Sequence, residues 1–288
     1  MVLALGAHMS IAGGHQLALE RAAELEMSAC QIFTKNANQW NAKPLDPAVG
    51  ELFRAAREAA GIAREHVVAH DSYLINIASP DDALWEKSRL ALMDELDRCD
   101  LLDVPYLVAH PGGHMGAGVE AGIRRIADAI NRIHDERPEG RAALLLETTA
   151  GQGTTLGKTF EELARMIELV HDKKRIGVCF DTCHVFVAGY DLRDRESYEE
   201  TMRQFEQTIG FQWLRAIHLN DSVKGLGSHV DRHAAIGAGE LGLTAFELLL
   251  NDERLNGLPG ILETPKGKDN EEDRRNLATL RSLIKTPA

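Results

Sequence analysis

Cysteine is scarce in this chain. Its 288 residues hold four, Cys30, Cys99, Cys179 and Cys183, and no pair has the CxxC spacing of a thiolate metal site or redox motif. Reduced thiols in a cytoplasmic protein are the expectation. Cys179 shares a strand face with Asp181, where a small core filler fits, and neither it nor Cys183 is read as a ligand. Aromatic residues are few at 5%, while Ala, Val, Leu and Ile dominate, as in a parallel sheet covered by helices. No apolar run approaches the ~18 residues of a membrane span. The start MVLALGAHMS is too short, and lacks the basic segment, for a signal peptide. Basic residues are outnumbered, 32 against 44 acidic, for a formal charge of −12. That sign is unusual for a nucleic-acid binder, but divalent cations gathered at one face would restore positive charge locally, so a phosphate substrate is not excluded. Gly151, Gly153 and Gly157 lack dinucleotide-fold spacing and read as a flexible loop.

Eight short apolar runs bounded by Gly, Pro, Asn or Asp read as strands: 3–8, 29–34, 66–70, 106–111, 143–148, 176–182, 213–221 and 260–264. Amphipathic helices alternate with them. Asp46-Pro47 predicts a helix start whose helix closes at Gly61, and Ser79-Pro80 repeats the device. Thr159 with Glu162, and Thr244 with Glu247, fit capping boxes. With no linker or composition break, residues 1–288 read as one (β/α)8 TIM barrel. The competing fold is a doubly wound open sheet. It would spread six successive strand ends over about 24 Å, whereas a closed barrel gathers them around one mouth.

Those strand ends carry the chemistry. His70, His110, Glu147, Asp181, His218 and Glu263 end the third to eighth runs, at intervals of 40, 37, 34, 37 and 45 residues, each the length of a strand plus a crossover helix. His184, Asp231 and His233 follow in the next loops, and the i, i+2 spacing of Asp231 and His233 points both to one side of extended backbone. A carboxylate closing the apolar ALLLE is costly to desolvate unless a cation or strong donors face it. Four carboxylates and five imidazoles without thiolate suit zinc or manganese in an open, catalytic site. His8 ends the first run and is placed near the mouth, His114 reads as solvated, and Arg124-Arg125 and Arg274-Arg275 read as solvated helix faces.

The strings HDSYLIN (70–76), GVCFDTCH (177–184) and HLNDSVKGLGSHVDRH (218–233) resemble the three signature regions of the endonuclease IV family of zinc-dependent apurinic/apyrimidinic endonucleases. The likeness extends from GAHMSIAGG (6–14) through FTKNANQW (33–40) and TAGQGTTLG (149–157) to ILET (261–264), and all nine family ligand positions hold a residue of matching type. The resemblance implies three zinc ions per chain, with manganese admissible at one or more positions. His70, His110 and Glu147 would hold the first. Glu147 would bridge to a second, completed by Asp181, His218 and Glu263; His184, Asp231 and His233 would hold the third. Glu147 and Glu263 are the carboxylates assigned to catalysis. It also implies that a hydroxide generated between two metals attacks the phosphorus while the third stabilises the departing oxygen.

The substrate so implied is duplex DNA with an abasic site or a blocked 3′ end, cut by a monomer 5′ to the lesion. Tyr73 and Leu74 would enter the minor groove, with Asn36 and Gln39 as further DNA contacts; Asn38 stands where the family often has a basic residue, so one inserted cation is lost. Two other classes stay open. A divalent-metal sugar isomerase or epimerase on a related barrel would need Glu147, Asp181, His218 and Glu263 alone. A non-catalytic DNA-damage binder would be expected to have lost a ligand.

Overall fold

The computed structural model describes residues 2–267 and 269–285. Seven strands alternate with helices: β1 (Ala4–His8), β2 (Ala29–Phe33), β3 (Val67–His70), β4 (Tyr106–Ala109), β5 (Ala143–Glu147), β6 (Ile176–Asp181) and β7 (Leu214–His218). A two-residue antiparallel hairpin, β8 (Asp221–Ser222) with β9 (His233–Ala234), precedes the last strand, β10 (Pro259–Leu262). Strands β1 to β7 and β10 close into one parallel barrel in the order β1-β10-β7-β6-β5-β4-β3-β2. The expected (β/α)8 architecture is present and the open sheet is not. The helices are α1 (Gln16–Glu24), α2 (Pro47–Ala59), α3 (Asp82–Leu102), α4 (Val119–Glu136), α5 (Phe160–Leu169), α6 (Thr182–Ala188), α7 (Arg195–Thr208), α8 (Gly242–Leu250) and α9 (Glu271–Leu283).

Side-chain alternation sorts each strand into two roles. Val67, Ala69, Leu107, Leu144, Leu146, Val178 and Ile217 join the large core that also holds the helices' buried faces. Val68, Val108, Leu145, Cys179 and Ala216 form a separate dry cluster inside the barrel, with Ala4, Ala29 and Ile261 as a second patch. Cys179 is thus the small filler its position suggested. Two residues beyond this inner layer, the same parity delivers His70, His110, Glu147, Asp181, His218 and Glu263 to the C-terminal mouth. Register carries them around it. His70 pairs with Val108, Glu147 with Cys179 and His218 with Ile261, so the next ligand stands two residues higher at those steps, while Asp181 and His218 are level. This is the stagger of a tilted, closed barrel.

Local signals hold in part. Asp46 accepts from the Ala48 N–H with Pro47 in the first turn, and Gly61 takes φ 67° two residues beyond α2. Thr159 accepts from the Glu162 N–H, but Glu162 turns its carboxylate to the N–H groups of Gly157 and Lys158, closing the glycine-rich loop instead of completing a box. Two starts are displaced. Asp81, not Ser79, caps α3, because its carboxylate reaches the Leu84 N–H at 2.7 Å. Thr244 lies inside α8, which begins at Gly242 without a side-chain cap, since Leu241 before it carries no acceptor; Asp221 holds the Leu241 N–H and so fixes the backbone where the helix starts. The expected strand 213–221 is two elements, β7 and β8, and the other strands are one or two residues shorter than the apolar runs that announce them. His110 and Glu263 therefore sit just past their strands.

Gly6 pairs with Ala29, and a Cβ at Gly6 would lie 1.9 Å from the Ala29 carbonyl oxygen. Backbone cannot yield there without opening the β1–β2 ladder. The Gly6→Ala variant is expected to lose about 3 kcal/mol or to be insoluble; urea unfolding of soluble material with an unchanged midpoint would contradict this.

Candidate metal centre

Glu147 is the hub of the mouth. Its side chain has no solvent exposure, and its two oxygens face different partners. Oε2 lies 3.2 Å from His70 Nε2 and 3.0 Å from His110 Nε2; Oε1 lies 2.8 Å from His218 Nδ1 and 3.4 Å from His184 Nδ1. Three sets of donors form, each with its atoms within 4.8 Å of one another: His70, His110 and Glu147; Glu147, Asp181, His218 and Glu263; His184, Asp231 and His233. All nine sequence-predicted ligands are brought together, and Glu147 belongs to two sets. A fourth grouping joins Asp181 and His233 to Cys183, which the sequence does not mark as a ligand. Burial pushes that thiol up to about 12, leaving it a poor donor beside the imidazoles.

The orientation of two histidines tests whether these sets fit cations. His184 donates from Nδ1 to the Thr148 carbonyl at 2.9 Å, and His233 from Nδ1 to the Glu263 carbonyl at 3.2 Å. Their Nε2 atoms are buried with no hydrogen-bond partner among the described residues, yet both face Asp231, at 3.2 and 3.3 Å. Ring nitrogens fixed from behind by a carbonyl, with the other nitrogen converging on a carboxylate, are the arrangement of imidazole ligands around an ion.

The electrostatics point the same way. Burial is the largest influence on Glu147 and opposes its ionisation, but His218, His110 and His184 together hold its carboxyl well below the ordinary range. Glu263 is likewise held well below by His218, His8 and His70 against its burial. Burial also works against the imidazolium forms, yet Glu147 raises His70 to about 9, Asp181, Asp231 and Glu147 keep His184 well above the usual imidazole value, and Cys179 with Glu263 and Glu147 does the same for His218. Divalent ions bound among these groups would compete with protons for the same imidazole and carboxylate atoms.

Above the ligands opens a cavity of about 660 Å³, lined among others by His8, Phe33, Tyr73, Arg232 and Lys266. Arg232, between two candidate ligands, is exposed there.

Comparison with known proteins agrees with this geometry. Residues 19–283 match the second AP endonuclease family, described as a xylose isomerase-like TIM barrel. A probable endonuclease 4 of Chloroflexus aurantiacus is 53% identical over 279 residues, 97% of each chain. Endonuclease IV from Thermus thermophilus superposes with TM-score 0.84 at 39% identity, over 97% of this chain and 98% of that one. The chain belongs to the endonuclease IV family. A 3-keto-D-glucoside 4-epimerase from Escherichia coli has TM-score 0.70 at 14% identity, over 97% and 99% of the two chains, and shares the fold alone.

Beside the centre of this family member stand two linked loops. Ser72 donates to the Ala37 carbonyl at 2.6 Å, tying the loop after β3 to the loop after β2. Tyr73 is 67% exposed at the rim, edge-on to Phe33, and Leu74 is half-buried beside it. Asn36, Asn38 and Gln39 are exposed, with the Asn36 side chain accepting from the Asn38 N–H. Lys35 turns inward to Asp94 (2.9 Å) and Glu95 (3.5 Å), so the exposed Asn36, Asn38 and Gln39 present amides and no cation. His114, expected to be solvated, is half-buried and accepts from the Gly116 and Gly118 N–H groups.

Several supporting residues escaped the sequence reading. Asn220 donates to Asp181 Oδ2 (2.7 Å) and accepts from the Glu263 N–H, and Gln31 bonds His218 and Glu263. Asp221 is fully buried and its carboxylate accepts four backbone N–H groups, of Ser222, Gly237, Gly239 and Leu241. It thereby pins the hairpin loop that carries Asp231 and His233. The one available signal was the polar Asn220-Asp221 pair two and three residues after His218; Gln31 had none. Asp221→Ala leaves four donors unpaired, and denaturant unfolding of the metal-free protein is expected to show a loss of about 3 kcal/mol; a loss under 1 kcal/mol would contradict the anchoring role.

Proposed function

We propose that this chain is a metal-dependent DNA-repair endonuclease. It hydrolyses the phosphodiester 5′ to abasic sites in duplex DNA, leaving a 3′ hydroxyl and a 5′ deoxyribose phosphate, and the same hydrolysis clears blocked 3′ ends. The observation that carries the reading is the convergence of nine donors into three sets beneath one open cavity. An isomerase would employ the four-residue set alone; His70, His110, His184, Asp231 and His233 would then have no reason to converge.

In this reading His70, His110 and Glu147 hold one divalent ion, Glu147, Asp181, His218 and Glu263 a second, and His184, Asp231 and His233 a third. Zinc is the expected metal, with manganese admissible. Such ions supply positive charge for a phosphodiester and lower the pKa of water. The protein's own part is to orient and to exclude. The Thr148 and Glu263 carbonyls lock His184 and His233, and Glu147 offers one oxygen to each neighbouring set. Arg232 and Lys266 at the mouth lie within reach of backbone phosphates. An abasic nucleotide has no base to unstack, so extruding it into the cavity costs less than a normal flip of a few kcal/mol. Tyr73 and Leu74 would fill the gap it leaves, and Asn36 and Gln39 would touch the adjoining backbone.

A duplex carrying a tetrahydrofuran abasic analogue should be nicked by the purified protein and spared after a strong chelator. Glu147→Ala should abolish nicking with circular dichroism unchanged; nicking by the chelated protein or by this variant would count against the reading. Tyr73→Ala should weaken binding to abasic duplex more than it slows removal of a 3′ phosphoglycolate, which needs no extruded nucleotide. Equal losses on both substrates would remove Tyr73 from the gap-filling role.

A further inference from the structure

Gln31 is a polar residue in the middle of the apolar strand ACQIF, with no solvent exposure. A primary amide placed there is costly unless its donors and its oxygen find partners. Both N–H hydrogens and the carbonyl oxygen are engaged. The side-chain nitrogen lies 2.6 Å from Glu263 Oε1, an acceptor, so that end must be the NH2 group. Its second hydrogen points to His8 Nδ1 at 3.0 Å. The amide oxygen is therefore the atom facing His218 Nε2 at 2.8 Å, and Nε2 must carry a proton to meet it. Register explains the meeting: Gln31 is paired with His8 across β1 and β2 and shares its inward parity.

We propose that Gln31 is a positioning residue for the four-residue metal set of Glu147, Asp181, His218 and Glu263. The inference rests on the three-ion reading above and adds a device to it. By accepting from Nε2–H, Gln31 leaves His218 only Nδ1 as a lone-pair donor. That nitrogen is the one aimed at Glu147 (2.8 Å), Glu263 (3.2 Å) and Asp181 (3.7 Å). By occupying Glu263 Oε1, Gln31 leaves Oε2, the oxygen nearer His218 Nδ1, for the ion. One amide thus selects a single donor atom on each of two ligands that come from different strands. The neighbouring sets lack this support: His184 and His233 are fixed by backbone carbonyls, which no substitution at residue 31 alters.

The test is graded chelator competition on the zinc-loaded full chain, with metal retained per protein read by mass spectrometry. The wild type should hold three ions. Gln31→Leu keeps the volume and loses both ends of the amide. One ion of the three should be released at a chelator strength about 10- to 100-fold lower than in the wild type, with the other two unmoved. Three ions released as in the wild type, or all three weakened together as general loosening of the fold would do, overturns the proposal. A wild type holding fewer than three ions would instead sink the three-ion reading on which it rests, with nicking of abasic duplex reporting separately on the activity. Should Gln31→Leu fail to fold, the ring-nitrogen spectrum of the histidine-labelled, zinc-loaded wild type decides. His218 is expected with its proton on Nε2 and metal on Nδ1; the reverse pattern overturns the proposal.

Discussion

The carboxylate of Glu147 is shut off from solvent and lies within 3.4 Å of a nitrogen on each of four histidines from four different segments. An isolated ionised carboxylate in such a place costs several kcal/mol, and removing its partners would leave that cost uncompensated. The rest of the mouth is arranged around meeting it. Strands β3, β6 and β7 and the turn after β4 must present their ends at one height, which fixes register. Thr148, next in sequence, gives its carbonyl to His184 and its hydroxyl to the Asp181 N–H. The two Glu147 oxygens point to separate donor sets, so in the proposed reading the hub would join two cations.

Below that polar layer the barrel is dry and filled by small and branched side chains, Val68, Val108, Leu145, Cys179 and Ala216. The same two-residue alternation produces both layers. Six of the nine candidate ligands were legible for this reason: each closes an apolar run with the parity that points inward, and a closed barrel gives six successive strand ends a common address. Element type and order were readable on the same ground. What failed was chemistry decided at a distance. Thr244 has the spacing of a cap, but Asp221 takes the Leu241 N–H and the helix starts earlier. Ser79 is outcompeted by a stronger acceptor two residues on. Gln31 and Asn220 carry no periodic signature, because their partners lie on other strands and become visible only when the barrel closes. Cys183 follows β6 in a short helix that turns its thiol toward Asp181 and His233, a placement strand alternation does not describe.

In the proposed reading, the surface offered to DNA divides its labour in a way that net charge conceals. The chain is formally −12, its loop after β2 presents amides, and Lys35 is spent on a buried ion pair with Asp94 and Glu95. Positive charge at the mouth comes from Arg232 and Lys266, the latter already paired with Asp273 at 2.5 Å. A polyanion approaching this face would thus depend on bound cations for much of its attraction, so one centre serves affinity as well as cleavage. The exposed Tyr73, braced by Phe33 beneath it, contributes shape in place of charge.

The central claim is that nine side chains assemble one cluster of three cations around Glu147. Anomalous difference maps from crystals of the purified protein, collected at the zinc and manganese absorption edges, test it most directly. Three peaks should stand in the mouth, two of them flanking the Glu147 carboxylate and one between His184, Asp231 and His233. A single peak confined to Glu147, Asp181, His218 and Glu263, or an empty mouth in crystals of protein that cuts abasic duplex, would contradict the account.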